Sequence, residues 1–383
     1  MTILDNVVAI CRNLMIGLFA VEWLFGKRTE RGDGMEAGMK GFEDNMQQNQ
    51  PLVSIIMPVY NVEDYVGEAI ESVLSQTCPY FELLLINDAS TDNSGNICEK
   101  YRKKDSRIVL LDNLSKDHGP GPARNIGLDH AKGKFIYYMD SDDWIEKDLL
   151  EVAVKRIKET GADIVQFGLI HEHGDGKTST YCWEGKDVLT KEEIGKDFLY
   201  FWKNNRSTLV LHFFRREVVD AIRFENILCG EDISYVADAL SNSKKIAFIP
   251  RMLYYYRYVE KSTSHRWTEN IIECREKIWD HQKVFLDSLY ENNNNMAYAE
   301  LAYDNYLWAI YQMSSQLCPL SFRQKRIELS KLKNKMNFEL YRGRYPLTMQ
   351  QDLIKAKYIL VKFHLEDILL LLGPAFLRTV RGE

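Results

Sequence analysis

From Leu52 to Phe167 the chain alternates short apolar runs with stretches of helical periodicity, and that alternation leaves few folds open. Val53–Met57, Phe81–Ile86, Ile108–Leu111, Phe135–Met139 and Ile164–Phe167 read as strands. The segments between them read as helices over 93–103, 122–130 and 147–160. A further helix is capped by Asn61, with Asp64 at its third position and Val66, Ile70, Val73 and Leu74 facing inward. Strands that alternate with helices imply βαβ crossovers and an α/β fold with a mostly parallel sheet.

Beyond that region the pattern loosens. Residues 171–181 suggest a hairpin or loop, and 191–204 and 216–222 suggest helices. A helix is expected over Asp232–Asn242, then two strands, Lys245–Ile249 and Met252–Tyr258, broken by Pro250. From about residue 268 the chain reads as long helices. The 383 residues are enough for more than one domain. The net charge of −6 excludes nucleic acid as the main partner. The seven cysteines show neither a C-x-x-C pair nor metal-ligand spacing, which fits reduced thiols in the cytoplasm.

Residues 1–27 are apolar at helical spacing, but the uncharged stretch Asn13–Val21 is too short to span a bilayer and lacks the basic start of a secretory signal. An amphipathic helix is expected there, followed by a linker over 28–50. The tail places Lys355, Lys357, Lys362, Arg378 and Arg381 around Ile368–Leu372. Such ends suit either an anionic membrane surface or packing on protein, including a second copy of the chain.

In an open α/β sheet, ligands bind beyond the carboxyl ends of the strands. Several unusual segments fall at such ends. Pro58-Val59-Tyr60-Asn61 follows the first strand. Pro58 shapes a turn, and Tyr60 offers a ring to a planar base or simply closes the core edge. Asn87-Asp88-Ala89-Ser90-Thr91-Asp92 follows the second, where Asp88 can accept a ring N–H or make an Asx turn. Asp140-Ser141-Asp142-Asp143 follows the fourth. Asp140 can take ribose hydroxyls and Asp142 can ligate Mg²⁺ or Mn²⁺ against a diphosphate, with Asp143 as a helix cap. Arg124, after a Gly/Pro loop, can reach a diphosphate or pair with a nearby aspartate. Gly230-Glu231-Asp232 heads a helix. Its acids either cap that helix or take a proton from a sugar hydroxyl as a general base.

Together these pieces resemble a family 2 glycosyltransferase of the GT-A fold. The matching segments are Val53–Asn61, Ile86–Asp92, Ala123–Gly127, Met139–Trp144 and Gly230–Asp232, in the family's order and spacing. The resemblance covers roughly residues 51–265, with a helical region over 266–383. It implies inverting transfer of a hexose or N-acetylhexosamine from a nucleotide sugar, usually UDP-linked. The acceptor would be a glycan or lipid-linked hydroxyl in exopolysaccharide, capsule or lipopolysaccharide assembly, at the cytoplasmic face of a bacterial membrane. Carried over, Pro58, Tyr60, Asp88, Arg124 and Asp140 would bind the nucleotide, Asp142 the metal, and Asp232 would be the base beside Glu231.

Three departures stand out. Ala89 occupies a position where the family often has Gly. Val259 stands where many members carry histidine, so Arg257, Ser262, Ser264 or His265 would have to make the phosphate contacts. Arg266-Trp267 is similar to the motif of processive synthases, but Thr263 replaces the expected Gln, which suggests single additions. The competing reading is a non-catalytic nucleotide-sugar scaffold in an assembly complex.

Overall fold

Strand β1 (Val53–Val59) lies inside a ten-stranded mixed sheet in the computed structural model. The structure describes residues 50–205, 207–259, 270–291, 295–315 and 317–337, with residues 367 and 370. The helix expected over residues 1–27, the linker expected over 28–50 apart from residue 50, most of the basic tail, and Ser262, Ser264 and His265 fall outside them. On one side of β1 lie β2 (Phe81–Asn87) and β3 (Ile108–Asp112); on the other lies β4 (Phe135–Tyr138), all parallel. The topology therefore reverses direction at β1, between β2 and β4. Beyond β4 the order continues with β9 (His212–Arg215), β6 (Ile164–Glu172), β10 (Lys245–Tyr256) and β5 (Trp144–Ile145). The remaining strands, β7 (Thr178–Tyr181) and β8 (Val188–Thr190), pair with β6 and β10.

The central strands are apolar on both faces because both are covered. Ile55, Met57, Leu83, Leu85 and Tyr137 pack toward α1 (Val66–Leu74), α2 (Ser94–Arg102) and α4 (Leu149–Thr160). Their neighbours Ile56, Leu84, Ile86, Ile136 and Tyr138 pack toward α3 (Pro120–His130). That second core also takes in three short helices, α5 (Lys191–Lys196), α6 (Phe198–Asn204) and α7 (Arg216–Val219). It continues through α8 (Glu231–Asn242), α9 (Ile271–Leu289), α10 (Asn295–Ser314) and α11 (Phe322–Lys335). The late helices thus share one apolar layer with the sheet. His281 of α9 adds a polar tie, 2.8 Å from Asp238 of α8 and 3.0 Å from Glu225.

Two details shape the sheet around β1. Backbone groups along β1 alternate between neighbours: the Ile56 carbonyl accepts from Met139 of the β4 side, the Val59 carbonyl from Asp88 of the β2 side. Position 58 therefore faces β4, and Pro58 has no N–H to offer it. The β1–β4 ladder stops there, and residues 140–143 turn away. At the opposite end, Gly133 passes against β1. A Cβ at Gly133 would sit 2.5 Å from the Ser54 nitrogen and 2.7 Å from the Val53 carbonyl carbon. Both are backbone atoms and cannot yield. Gly133→Ala is expected to lower unfolding free energy by about 1–3 kcal/mol, read as a reduced urea midpoint with an unchanged slope.

Three local expectations need correction. The first helix begins at Val66 with Tyr65 before it, not at Asn61. Asp143 caps no helix: α4 starts at Leu149, and Asp143 is followed by β5. Pro250 does not split the last strand, because β10 absorbs it in a bulge between Ile249 and Met252.

Candidate active site

The carboxyl ends of β1, β2, β3 and β4 share one edge of the sheet, and the expected site residues gather there. The first two ends are laced together. Asn61, at a left-handed φ of 50°, accepts the Thr91 N–H at 2.8 Å. The Val62 N–H donates to Ser94 Oγ at 2.9 Å, and the Glu63 N–H to Asp92 Oδ2 at 3.0 Å. Ala89 is also left-handed at φ 57°. That conformation costs an alanine roughly 1–2 kcal/mol and a glycine almost nothing. Tyr60 projects beyond this lacing and is 58% exposed, free to lie against a planar ligand.

Asp88 is buried and fully oriented. Its carboxylate accepts from Asn113 Nδ2 at 2.6 Å and from the Gly119 N–H at 2.7 Å. His118 Nδ1 lies 2.9 Å away; a carboxylate can only accept, so that nitrogen carries the proton. Oδ2 has a single partner among these contacts and retains capacity for another donor. Asn113 and His118 escaped the sequence reading. Their signal was positional: Asn113 directly follows β3, at the same sheet edge.

Arg124 sits in the second turn of α3, behind the Gly/Pro loop that starts the helix. Its guanidinium is buried and forked. One nitrogen donates to Asp140 Oδ1 and the other to Glu231 Oε1, both at 2.8 Å. Burial alone would depress its pKa; Asp140, Glu231 and Asp232 outweigh that and hold it protonated. Below it, Phe224 stacks on Tyr235 at 3.9 Å, and Tyr235 shares a 2.7 Å hydroxyl hydrogen bond with Tyr138. One guanidinium thus joins the acidic turn after β4 to the head of α8. Arg124 therefore pairs with two acids, Asp140 and Glu231.

The three acids after β4 have separate surroundings. Asp140 is tied to Arg124 but keeps about a third of its side chain open to solvent. Asp143 is buried and accepts from Tyr254 Oη at 2.5 Å and the Arg257 N–H at 2.8 Å. Arg257 also donates from Nε to the Asp142 carbonyl at 2.9 Å and pairs with Glu68 at 2.6 Å, with its guanidinium over Trp144. Its side chain shapes the rim beside the acids. Among the described residues Asp142 has no salt-bridge partner. Burial, and then the neighbouring Asp140, push its carboxyl up to about 6.

Gly230, left-handed at φ 78°, turns the chain into α8. Glu231 is buried against Arg124. Asp232 is half-buried. Burial pushes its carboxyl up, Glu231 adds to this, and Arg124 opposes it. The partial exposure makes that rise smaller than complete burial would give. Arg124 pairs directly with two of the four acids, Asp140 and Glu231, whereas Asp142 and Asp232 make no salt bridge among the described residues.

Comparison with known proteins points the same way. The family model described as "Glycosyl transferase family 2" matches residues 54–223. An "Uncharacterized glycosyltransferase" of Haemophilus influenzae is 34% identical over 261 residues, 65% of this chain and 99% of that protein. "Glycosyltransferase GlyG" of Streptococcus pneumoniae is 30% identical over 239 residues, 59% of this chain and 79% of that one. Among solved structures, S. aureus TarS residues 1–349 with UDP-GlcNAc superposes with a TM-score of 0.54 at 20% identity. That match covers 77% of this chain and 94% of TarS 1–349, and speaks to the fold.

Proposed function

Because the chain belongs to glycosyltransferase family 2, we propose that it moves one sugar from a UDP-sugar to a hydroxyl of a glycan or lipid-linked acceptor, with inversion and a divalent cation. The observation that carries this reading is the division of the acids by Arg124. It leaves two carboxyls without a salt bridge among the described residues, Asp142 for a cation and Asp232 for a proton.

Asp142 suits the cation. Its carboxyl is raised by burial and then by Asp140, with Arg257 opposing, and it makes no salt bridge among the described residues. No three described His, Cys, Asp or Glu residues could hold a metal together. The donor's diphosphate must complete the ligand set, which is the common arrangement for Mg²⁺: one or two carboxylates plus substrate phosphates. A bound cation supplies charge to the departing diphosphate. Asp140 orients ribose hydroxyls with the oxygen that Arg124 leaves free. Asp88 receives the pyrimidine N–H through Oδ2, and Tyr60 lies against the ring.

Asp232 takes the acceptor proton. Sugar hydroxyls are poor nucleophiles near neutral pH, and a raised carboxylate in contact with one is a better base than an ordinary aspartate. A single displacement needs no enzyme nucleophile, so inversion follows. Glu231 is held by Arg124 and positions the head of α8 rather than moving a proton. The family resemblance, together with apolar, partly basic chain ends that suit an anionic membrane surface or packing on protein, supports a place at the inner face of a bacterial membrane, in cell-surface polysaccharide assembly. No described helix is long and apolar enough to cross a membrane.

Nucleotide release from a panel of UDP- and GDP-sugars, with and without Mn²⁺, tests the proposal. Release of UDP from one UDP-sugar, dependent on the cation, is expected. UDP binding without release from any donor would instead favour the non-catalytic scaffold.

A further inference from the structure

The donors that orient Asp88 all come from one connection, residues 113–119 between β3 and α3. Each is fixed in identity as well as position. Asn113 Oδ1 accepts the Ser115 N–H at 3.0 Å and the Ser115 hydroxyl at 2.7 Å, so the other end of its amide is the nitrogen. That nitrogen gives one N–H to Asp88 Oδ1 and the other to the Asp117 carbonyl at 2.8 Å. His118 donates its Nδ1–H to the same Oδ1. Gly119 directs its N–H to Oδ2 from a φ of 120°, where the backbone favours glycine.

A carboxylate oxygen has two lone pairs. On Oδ1 both are taken, by Asn113 and His118. On Oδ2 only the Gly119 N–H is held among the described residues. Asp88 therefore offers one free acceptor position rather than one on each oxygen.

That difference separates the nucleobases. The pairing edge of uracil carries one N–H between two carbonyls. Guanine carries an N1–H and a 2-amino group side by side, a donor pair that suits a carboxylate with both oxygens free. Asp88 is only 4% exposed. A base donor laid against it without an acceptor loses its water and gains nothing in return.

We propose that Asn113 and His118 are specificity-determining residues: by filling Oδ1 they let Asp88 serve a base with a single ring N–H and deny it the donor pair of guanine. The inference rests on the reading of this site as one for a nucleoside diphosphate and adds which base it refuses. Asn113 is buried and also ties Ser115 and Asp117, whereas the His118 side chain is 49% exposed. His118 is therefore the residue to vary.

Inosine diphosphate isolates the effect, because it is guanosine diphosphate without the 2-amino group and keeps the N1–H. The full-length protein, loaded with UDP and Mn²⁺, is titrated with each in a calorimeter. Inosine diphosphate should displace UDP at a concentration on the order of tenfold lower than guanosine diphosphate. His118→Ala, checked for native circular dichroism, frees a position on Oδ1, and the preference should vanish or reverse. His118→Asn returns an N–H in place of Nδ1 and should restore it. Loss of a merely structural side chain would weaken all three nucleotides alike. Equal displacement by the two purine nucleotides in wild type overturns the proposal and needs no variant to fold. A preference that survives His118→Ala overturns it too. Failure of UDP itself to bind would overturn the nucleotide reading and this proposal with it. UDP binding with equal displacement overturns the proposal alone.

Discussion

Asp232→Asn is expected to lose sugar transfer by roughly 10²–10⁴-fold while gaining stability. Asparagine keeps the shape and cannot take the acceptor proton, so kcat falls while the affinity for UDP with Mn²⁺ is retained. The stability sign follows from the direction of the shift. The folded-state pKa of Asp232 is raised above its unfolded value by burial and Glu231. Ionisation is therefore harder in the folded chain. Stability is complete below the unfolded value, near pH 4, and is lost as pH rises through the raised folded value. Asparagine removes that loss. At pH 8 the variant should melt a few degrees higher than wild type, and near pH 4 the two should coincide. Wild-type transfer should rise with pH through the raised Asp232 value, a limb absent from the residual rate of the variant. Wild-type turnover by Asp232→Asn would place the base elsewhere.

Arg124→Met carries the larger structural penalty. It removes the cation from between Asp140 and Glu231, both hydrogen-bonded to it at 2.8 Å. Breaking a buried pair by deleting one partner costs about 3–5 kcal/mol, because the remaining charges stay desolvated and, here, repel Asp142 and Asp232 as well. Arg124→Lys should recover only part of the stability, since one ammonium cannot reproduce the fork. Urea unfolding measures both. A neutral effect on stability would mean that Arg124 does not hold the two acids together.

How far these residues could be read from the sequence depended on the range of the interactions involved. Periodicity located β1 to β4, because each strand is short, apolar and flanked by a helix. It placed Asp88, Asp140 and Asp232 at the element ends that converge. Partners far apart in sequence were invisible. Asp143 seemed a local helix cap but is claimed by Tyr254 and by the Arg257 backbone, more than a hundred positions away. Asn61 likewise had the composition of a cap and instead ties β1 to the loop after β2. Pro250 argues for a break, yet a bulge lets β10 run through it. The short strands β5, β8 and β9 have too few residues to show a period. At Arg124 a pairing with a nearby aspartate was open in the sequence, but the second partner, Glu231, lies 107 positions away and was not.

The central claim is that Asp142 holds the cation through which this crevice grips a nucleoside diphosphate. Calorimetric titration of UDP into wild type and Asp142→Ala, each with Mn²⁺ and with EDTA, tests it directly. Wild type should bind UDP tightly only with Mn²⁺, and Asp142→Ala should bind weakly and equally in both conditions. UDP affinity in Asp142→Ala that remains wild-type and Mn²⁺-dependent would contradict the account.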